Sequence, residues 1–177
     1  MKDFFRHNRF AAIAALIVVI ALSLLIGVNR SVGKLADGVE TAYSDSDTKY
    51  GSVHKDVQKF CVCLGELYSV TASAGFERPD YFTELKKLSE KPFGDALLLS
   101  QAYSDAVSAY NRFINAPGTD GNSAAEATRC FAEVQAMQLR IKNNEPYNKA
   151  AKEYNKALHS FPASVFDFIH SEAAVFD

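Results

Sequence analysis

One uncharged run near the N-terminus constrains this chain more than any other feature. Residues 10–28 read FAAIAALIVVIALSLLIGV, nineteen residues in which Ser23 carries the one polar side chain. As a helix, this run would be about 28 Å long, which nearly matches a bilayer hydrocarbon core of about 30 Å. We therefore predict a single transmembrane anchor over residues 10–28, preceded by a short basic head over residues 1–9.

A cleaved signal peptide is the alternative interpretation of the same run. Its apolar region would be about 7 to 15 residues long and would end in a small-x-small cleavage site. The observed run is longer, and residues 24–28 offer no such site. A retained anchor is the favoured interpretation.

The charges on either side of the run bear on its orientation. Lys2, Arg6 and Arg9 precede it, whereas Arg30 and Lys34 follow it. Segments richer in Lys and Arg tend to stay in the cytoplasm. We therefore expect a single-pass protein of the cell membrane, with the N-terminus in the cytoplasm and the domain outside.

The remainder of the chain is large enough for one compact domain. It comprises 149 of the 177 residues, and the whole chain has a formal net charge of −2. A length of this order can bury a hydrophobic core. The charge leaves no basic excess to neutralise phosphates, which excludes a general nucleic-acid-binding role.

Apolar residues continue at helical spacing beyond the anchor. Thirteen positions from Val28 to Thr71 follow one another at steps of three or four residues, with a mean of about 3.6. The pattern predicts one long helix that leaves the membrane and runs to about Ser73. Its weak point is residues 44–48, where short polar side chains compete for backbone hydrogen bonds.

The later part of the chain has further helical patterns. A short helix is predicted after Pro79, and a longer one ends at about Asn115. Residues 116–122 read APGTDGN, a loop composition. Ser123 is the predicted N-cap of the last long segment, and Glu126 would complete a capping box. The apolar phase slips at residues 143–146, where Pro146 kinks or restarts the helix, and Pro162 ends it.

No stretch combines strand alternation with turn signals. The sequence therefore predicts an all-α chain, in which the single transmembrane helix continues into an antiparallel bundle of three to four long helices. The bundle domain is assigned to residues 29–162 and an aromatic C-terminal tail to residues 163–177.

A Tyr-containing pattern occurs twice. The first copy contains Tyr103 and Tyr110-Asn111, and the second contains Tyr147 and Tyr154-Asn155 at the same spacing. In each copy an Ala lies three residues after the first Tyr. The seven-residue spacing places both tyrosines of a copy on one seam of a helix. Packing between helices is the favoured interpretation, and a ligand site is the alternative.

The second copy also resembles the C-terminal signature of the LemA family, and residues 39–44 (VETAYS) resemble the segment that follows the anchor in that family. The resemblance implies a helical bundle on a membrane anchor, without established enzymatic activity and without a cofactor. It also implies a domain on the cytoplasmic side, opposite to the charge bias. The signature residues, expected to act chiefly in structure, are Tyr147, Asn148, Ala150, Glu153, Tyr154, Asn155, Phe161 and Pro162.

Residues that could carry chemistry do not form a recognisable pattern. The four histidines show no ligand spacing, and neither a nucleophile motif nor a glycine-rich phosphate loop occurs. We therefore expect no enzyme, no cofactor and no metal site. Cys61, Cys63 and Cys130 are interpreted as buried thiols, with a disulfide from Cys130 to one of the others as the alternative.

The C-terminal tail is rich in large apolar residues and contains neither Lys nor Arg. A terminal helix packed on the bundle is one interpretation, and an exposed strip that docks a partner or the lipid surface is the other. The residues proposed for such an interaction are Phe166, Phe168, Ile169, Val175 and Phe176.

Two functional hypotheses follow. The first is a non-enzymatic interaction or scaffolding module of the bacterial envelope, bound to the bilayer through residues 10–28 and to an unidentified protein partner. The second is an extracytoplasmic ligand-sensing bundle that signals through a partner protein. A polar interior pocket lined by Tyr and Asn would favour sensing, and a filled core would favour scaffolding.

Overall fold

The structure, a computed structural model, describes residues 9–45, 49–160, 162–166 and 169–176. These residues form six α-helices, two short 3₁₀ turns and no β-strand, which confirms the predicted all-α class. The helices are α1 (Arg9–Ser44), α2 (Val53–Thr71), α3 (Phe82–Leu88), α4 (Leu97–Ile114), α5 (Gly121–Lys142) and α6 (Glu145–Leu158), and the turns are Ala72–Ala74 and Ala163–Phe166.

The first half of α1 differs from the second half in its surroundings. Residues 11–24 are all exposed, and α1 is the one helix in the described part of the chain that is long and apolar enough to cross a membrane. Farther along α1, Val32, Val39 and Tyr43 are buried against the rest of the chain. The helix therefore joins an uncovered apolar segment directly to the packed part of the molecule.

The predicted single helix from the anchor to Ser73 is interrupted. α1 ends at Ser44 and α2 begins at Val53, where the Ser52 hydroxyl accepts a hydrogen bond from the Lys55 amide. Gly51 adopts a φ of 74°, a left-handed conformation that does not belong in a helix. The expectation of an unbroken helix is therefore wrong, although the break adjoins the polar segment identified as its weak point.

The second predicted break is confirmed. α5 ends at Lys142 and α6 begins at Glu145, with Pro146 in the first turn of α6, where its missing N–H is tolerated. Asn144 caps α6 by accepting from the Tyr147 amide at 3.2 Å, and its Nδ2 donates to the Gly51 carbonyl at 3.1 Å. The two breaks therefore lie side by side.

The predicted start of α5 is wrong by a few residues. Asp120, not Ser123, is the N-cap, and its carboxylate accepts from the amides of Asn122 and Ser123. Glu126 does not complete a capping box, because it pairs with Arg129 one turn later. Asp and Ser are both good N-caps, and here Asp120, three residues before Ser123, begins the helix.

The helices pack in a simple order. α2 lies along α5, and α4 covers both, while α6 lies along α1. Asp56 and Glu66 of α2 contact Arg140 and Arg129 of α5 respectively, so these two helices run in opposite directions. The core includes most of the predicted seam, notably Val53, Val57, Phe60, Leu64, Leu67 and Thr71.

Candidate functional site

The most highly organised polar arrangement lies between α6 and the C-terminal strap, defined here as Ser171–Phe176. The strap is extended and runs along α6 in the opposite direction. Two consecutive pairs of the signature face it: Tyr147-Asn148 and Tyr154-Asn155. The members of the two pairs are seven residues apart, which places them on one face of α6.

Two asparagines bind the backbone of the strap in the same manner. Asn148 Nδ2 donates to the Phe176 carbonyl and Asn148 Oδ1 accepts from the Phe176 amide, each at 2.8 Å. Asn155 repeats both bonds with Ala173, also at 2.8 Å. A primary amide thus satisfies both backbone groups of one strap residue, as a neighbouring β-strand would.

Two tyrosine hydroxyls bind two further carbonyls of the strap. Tyr147 Oη donates to the Ala174 carbonyl at 2.6 Å, and Tyr154 Oη donates to the Ser171 carbonyl at 3.0 Å. Burial raises the pKa of both phenols, so both remain protonated donors at physiological pH. The two carbonyls that they bind are three residues apart in the strap.

The spacing explains why a helix can hold an extended strand in register. Seven residues of α-helix rise about 10.5 Å, and three residues of extended chain span about 10 Å. Asn148 and Asn155 therefore meet Phe176 and Ala173, and the two tyrosines follow with the same offset. The seven-residue spacing of the Tyr-Asn pairs on α6 therefore matches a three-residue spacing of the backbone groups that they bind in the strap.

The opposite edge of the strap is bound by the segment between α3 and α4. The Ala174 amide donates to the Pro92 carbonyl at 2.8 Å, and the Gly94 amide donates to the Glu172 carbonyl at 3.2 Å. Phe93 and Ala173 form an antiparallel bridge, and the Phe93 ring packs on Tyr154. The strap is therefore held on both edges, chiefly through its backbone.

The other signature residues have varied surroundings. Ala150 is half-buried, Glu153 is exposed and Pro162 is half-buried. Phe161 lies outside the described residues. The hydrogen bonds from the signature to the strap are made by its Tyr and Asn side chains.

The tail residues predicted for an interaction are divided between two environments. Phe176 is buried and stacks on the Tyr147 ring, and Val175 is half-buried. Ile169 is exposed. Phe166 belongs to the second 3₁₀ turn, its side chain is not described, and Phe168 lies outside the described residues. The described end of the tail is extended rather than helical.

The first Tyr copy makes different contacts. The rings of Tyr103 and Tyr110 stack on Phe131 of α5, and their hydroxyls reach Gln135 and Thr128 at 3.2 Å. Asn111 is exposed on α4. This copy therefore packs one helix on another, and the two copies are alike in sequence but not in role.

A charged cluster between α2 and α5 is the second polar feature. Arg129 bonds three carboxylates, those of Glu66, Glu126 and Glu133, at 2.7 to 3.0 Å. Lys59 also pairs with Glu133 at 2.9 Å, and these cations hold the pKa of Glu133 below its usual range. The cluster thus joins three carboxylates to two cations, and the carboxylates exceed the cations by one charge.

Ligand atoms of Glu66, Glu126 and Cys130 lie within 4.8 Å of one another, a set with the composition of a metal site. The Arg129 guanidinium already bonds both carboxylates, and burial raises the pKa of the Cys130 thiol to about 11. Metal binding needs a thiolate and free carboxylate oxygens. The three residues therefore suit the ion pair better than a metal.

All three cysteines are free and buried, in agreement with the prediction of buried thiols. Cys61 and Cys63 leave α2 on different sides: Cys61 Sγ donates to the Leu85 carbonyl and Cys63 Sγ to Glu133. Burial raises the pKa of both thiols to about 11. Neither environment activates a thiol as a nucleophile.

A cleft of about 840 Å³ lies between α2, α3 and the start of α5. Phe82 forms part of its wall, with the Arg78 guanidinium 4.8 Å and the Lys86 ammonium 5.6 Å from the ring centroid. The Phe82 ring edge lies near Gly65 of α2, where an added Cβ would be 3.7 Å from the ring, an ordinary van der Waals contact. The cleft is lined by charged and apolar groups, and the signature Tyr and Asn side chains are not among them.

The role of the strap was missed by reasoning from sequence. The available signal was the repetition of Tyr-Asn at a spacing of seven, which was interpreted as helix packing. An asparagine buried on such a seam needs a partner for both its donor and its acceptor, and an extended backbone supplies both.

Compared with protein-family models, with curated proteins and with solved structures, the chain has no significant match.

Proposed function

We propose that this chain is a membrane-tethered helical-bundle protein of the LemA-like type, and that it acts as a non-enzymatic interaction or scaffolding module in the bacterial envelope. In this proposal, residues 10–28 span the bilayer once. The remaining helices form an antiparallel bundle, which presents its faces to a protein partner near the membrane surface.

The observation that carries the proposal is the contrast within α1. A core helix of a soluble protein would be covered, but residues 11–24, which are apolar except for Ser23, are all exposed. Exposure of such a surface to water would be costly, and lipid is the environment that suits it. Because the same helix continues into the packed helices, the bundle would be fixed directly to the membrane.

The polar groups of the site support scaffolding rather than catalysis. Tyr147, Asn148, Tyr154 and Asn155 are occupied by the strap, and Arg129 is occupied by three carboxylates. Catalytic groups converge on a space where a substrate can lie. In the described part of the chain, the Tyr and Asn side chains bind the strap, and Arg129, although it lines the cleft, is already paired with carboxylates.

Membrane extraction tests the anchor. The full chain is expected to stay in the membrane fraction after alkaline carbonate washing. A variant with Leu16→Arg and Ile20→Arg is expected to be released, because each arginine near the middle of a span costs about 2.5 to 3.5 kcal/mol. A paired control, Leu97→Arg and Leu139→Arg, adds the same charge at exposed positions outside the span and should not be released. Release of the unaltered chain would refute the proposal.

To determine on which side of the membrane the domain lies, a new exposed thiol is needed, because the native cysteines are buried. Ala125→Cys places a thiol on an exposed position of α5. Labelling of intact cells by a membrane-impermeant maleimide would place the domain outside, as the charge bias predicts. Labelling only after lysis would place it in the cytoplasm, as the LemA resemblance implies.

The cleft between α2 and α3 supports ligand sensing as a second candidate. Its volume is within the range of small-molecule sites. Arg78 and Lys86 would suit the anionic group of a small ligand beside the Phe82 ring, and the carboxylates of Glu66, Glu90 and Glu126 line the same cleft. The melting temperature with and without acetate, inorganic phosphate or glycine tests this candidate. A rise in the melting temperature of the unaltered chain that is lost in Arg78→Ala would favour sensing. An unchanged melting temperature with every probe would favour scaffolding.

A further inference from the structure

The turn that connects α6 to the strap, of which the structure describes residues 159–160, 162–166 and 169–170, lies beside the residue of α1 that follows the apolar run. We propose that this turn rests on the lipid bilayer beside α1 and gives the domain a second, apolar contact with the membrane. The proposal rests on the anchor proposed above, since α1 sets the height of the turn relative to the lipid.

The position of the turn follows from its contacts with α1. The 3₁₀ turn Ala163–Phe166 packs against α1, and His170 Nε2 lies 2.9 Å from Asn29 Oδ1. Asn29 is the residue directly after the apolar run. The domain therefore reaches the level at which the predicted span ends, without an intervening linker.

The burial of side chains along α1 also indicates that the domain reaches the end of the apolar run. Leu25 is the first residue after the uncovered segment that is partly buried, and Val28 packs against the core. Both belong to the apolar run. The domain thus overlaps the last turn of the predicted span, so its lower edge would enter the interfacial region, which is about 5 to 7 Å deep on each side of the hydrocarbon.

One large apolar side chain described on the turn is exposed, and this side chain would suit lipid better than water. Ile169, next to His170, is 57% exposed. Residues 160–177 contain neither Lys nor Arg, so the turn itself offers anionic headgroups neither of these cations; the cations near this level, Arg30 and Lys34, belong to α1. The contact should therefore depend on burial of apolar surface and should form equally well on zwitterionic lipid.

The chain contains no tryptophan, so a single introduced tryptophan reports its own surroundings. Ile169→Trp places the probe on the turn. Val62→Trp is the matched control, because Val62 is 60% exposed and lies on α2, beyond the break that separates α2 from α1. Val18→Trp places a third probe within the proposed span.

Each full-length variant is incorporated into phosphatidylcholine vesicles with and without brominated acyl chains. The Ile169→Trp emission is expected to shift to the blue and to lose most of its intensity with the brominated lipid, whereas Val62→Trp should stay unquenched. Replacing one third of the lipid by phosphatidylglycerol, or raising the salt concentration, should not change either result. Unchanged circular dichroism spectra check that the variants fold.

The outcomes separate this inference from the anchor. Quenching of Val18→Trp without quenching of Ile169→Trp would overturn the inference and leave the anchor intact, whereas absence of quenching at Val18→Trp would overturn the anchor. Quenching of Ile169→Trp only with phosphatidylglycerol would contradict an apolar contact. Equal quenching of Val62→Trp would show that the whole domain lies on the lipid, which also contradicts the proposed geometry.

Discussion

Asn148 and Phe176 exchange two hydrogen bonds of 2.8 Å, in which one side-chain amide satisfies both backbone groups of one residue. The two residues are 28 positions apart in the chain, and both are buried. A buried backbone group that loses its partner costs about 1 to 3 kcal/mol. The stability of the domain should therefore be sensitive to this one side chain.

The first prediction concerns Asn148→Ala. The substitution leaves the Phe176 amide and carbonyl without partners and should lower the free energy of unfolding by about 2 to 4 kcal/mol. Urea titration in detergent micelles measures the change. Asn111→Ala is the matched control, since Asn111 occupies an exposed position after the second Tyr of the other copy, and it should change stability by less than about 0.5 kcal/mol.

Hydrogen exchange adds a readout for the same pair of variants. The amides of Ala173 and Phe176 should be protected in the unaltered chain, because each donates to an asparagine. Asn148→Ala should speed exchange at Phe176 more than in α2. Equal loss of protection throughout the domain would contradict a local role of Asn148.

The second prediction concerns the tyrosine hydroxyls. Tyr147→Phe removes the 2.6 Å donor to the buried Ala174 carbonyl and should destabilise the domain by about 1 to 2 kcal/mol. Tyr110→Phe removes a hydroxyl that meets Thr128 at an exposed site, and should cost less than about 0.5 kcal/mol. Thermal unfolding of the two variants side by side provides the comparison. Equal melting temperatures would show that the strap does not depend on this hydroxyl.

The third prediction concerns the buried carboxylate of Asp56, which is 4% exposed. Burial raises its pKa, although Arg140 Nε lies 3.1 Å from Oδ2. Because the folded pKa lies above the unfolded value, the folded state holds the proton more tightly. This carboxyl therefore lowers stability as the pH rises from the unfolded pKa through the raised folded pKa.

Asp56→Asn removes this titration. At pH 7 the variant should be as stable as the unaltered chain, or more stable by about 1 kcal/mol. The difference should disappear as the pH falls through the raised pKa, where Asp56 itself becomes neutral. Urea titrations between pH 3 and 8 test this, and a large loss of stability at pH 7 would show that the ion pair with Arg140 is favourable overall.

The fourth prediction concerns Gly51, whose φ is 74°. Gly51→Ala should destabilise the domain by about 1 kcal/mol, because an L-residue resists the left-handed region and the added Cβ would lie 2.9 Å from Arg140 Nη2. Gly121→Ala is the control, since no atom lies within 4 Å of its added Cβ and α5 is helical there. The control should be neutral or stabilising in the same unfolding assay.

The fold class and the seam of α2 could be predicted because helical periodicity is local. The weak point at residues 44–48 and the proline at position 146 also mark where the helices break. The exact ends were harder to predict, because Asp120 and Ser123 are both competent caps and only the complete structure decides between them.

The strap could not be predicted by the same reasoning. Its bonds join Asn148 and Asn155 to residues 18 to 28 positions later, and the extended segment Ser171–Phe176 has no periodic pattern of its own. Periodicity identifies which face of α6 is covered, but it does not identify what covers it. A helix and an extended strand can cover the same face, and only the satisfaction of the amide groups distinguishes them.

The adjacency of the two helix breaks has a mechanical consequence. α1, α2, α5 and α6 all begin or end near the contact between Asn144 and Gly51, and Tyr43 Oη reaches the Leu88 carbonyl at the end of α3. Helices are stiff, so flexing of the molecule would be concentrated at this level. Bending at this level would be resisted by these two side-chain hydrogen bonds and by the strap, whose backbone bonds to Pro92 and Gly94 tie α6 to the segment between α3 and α4.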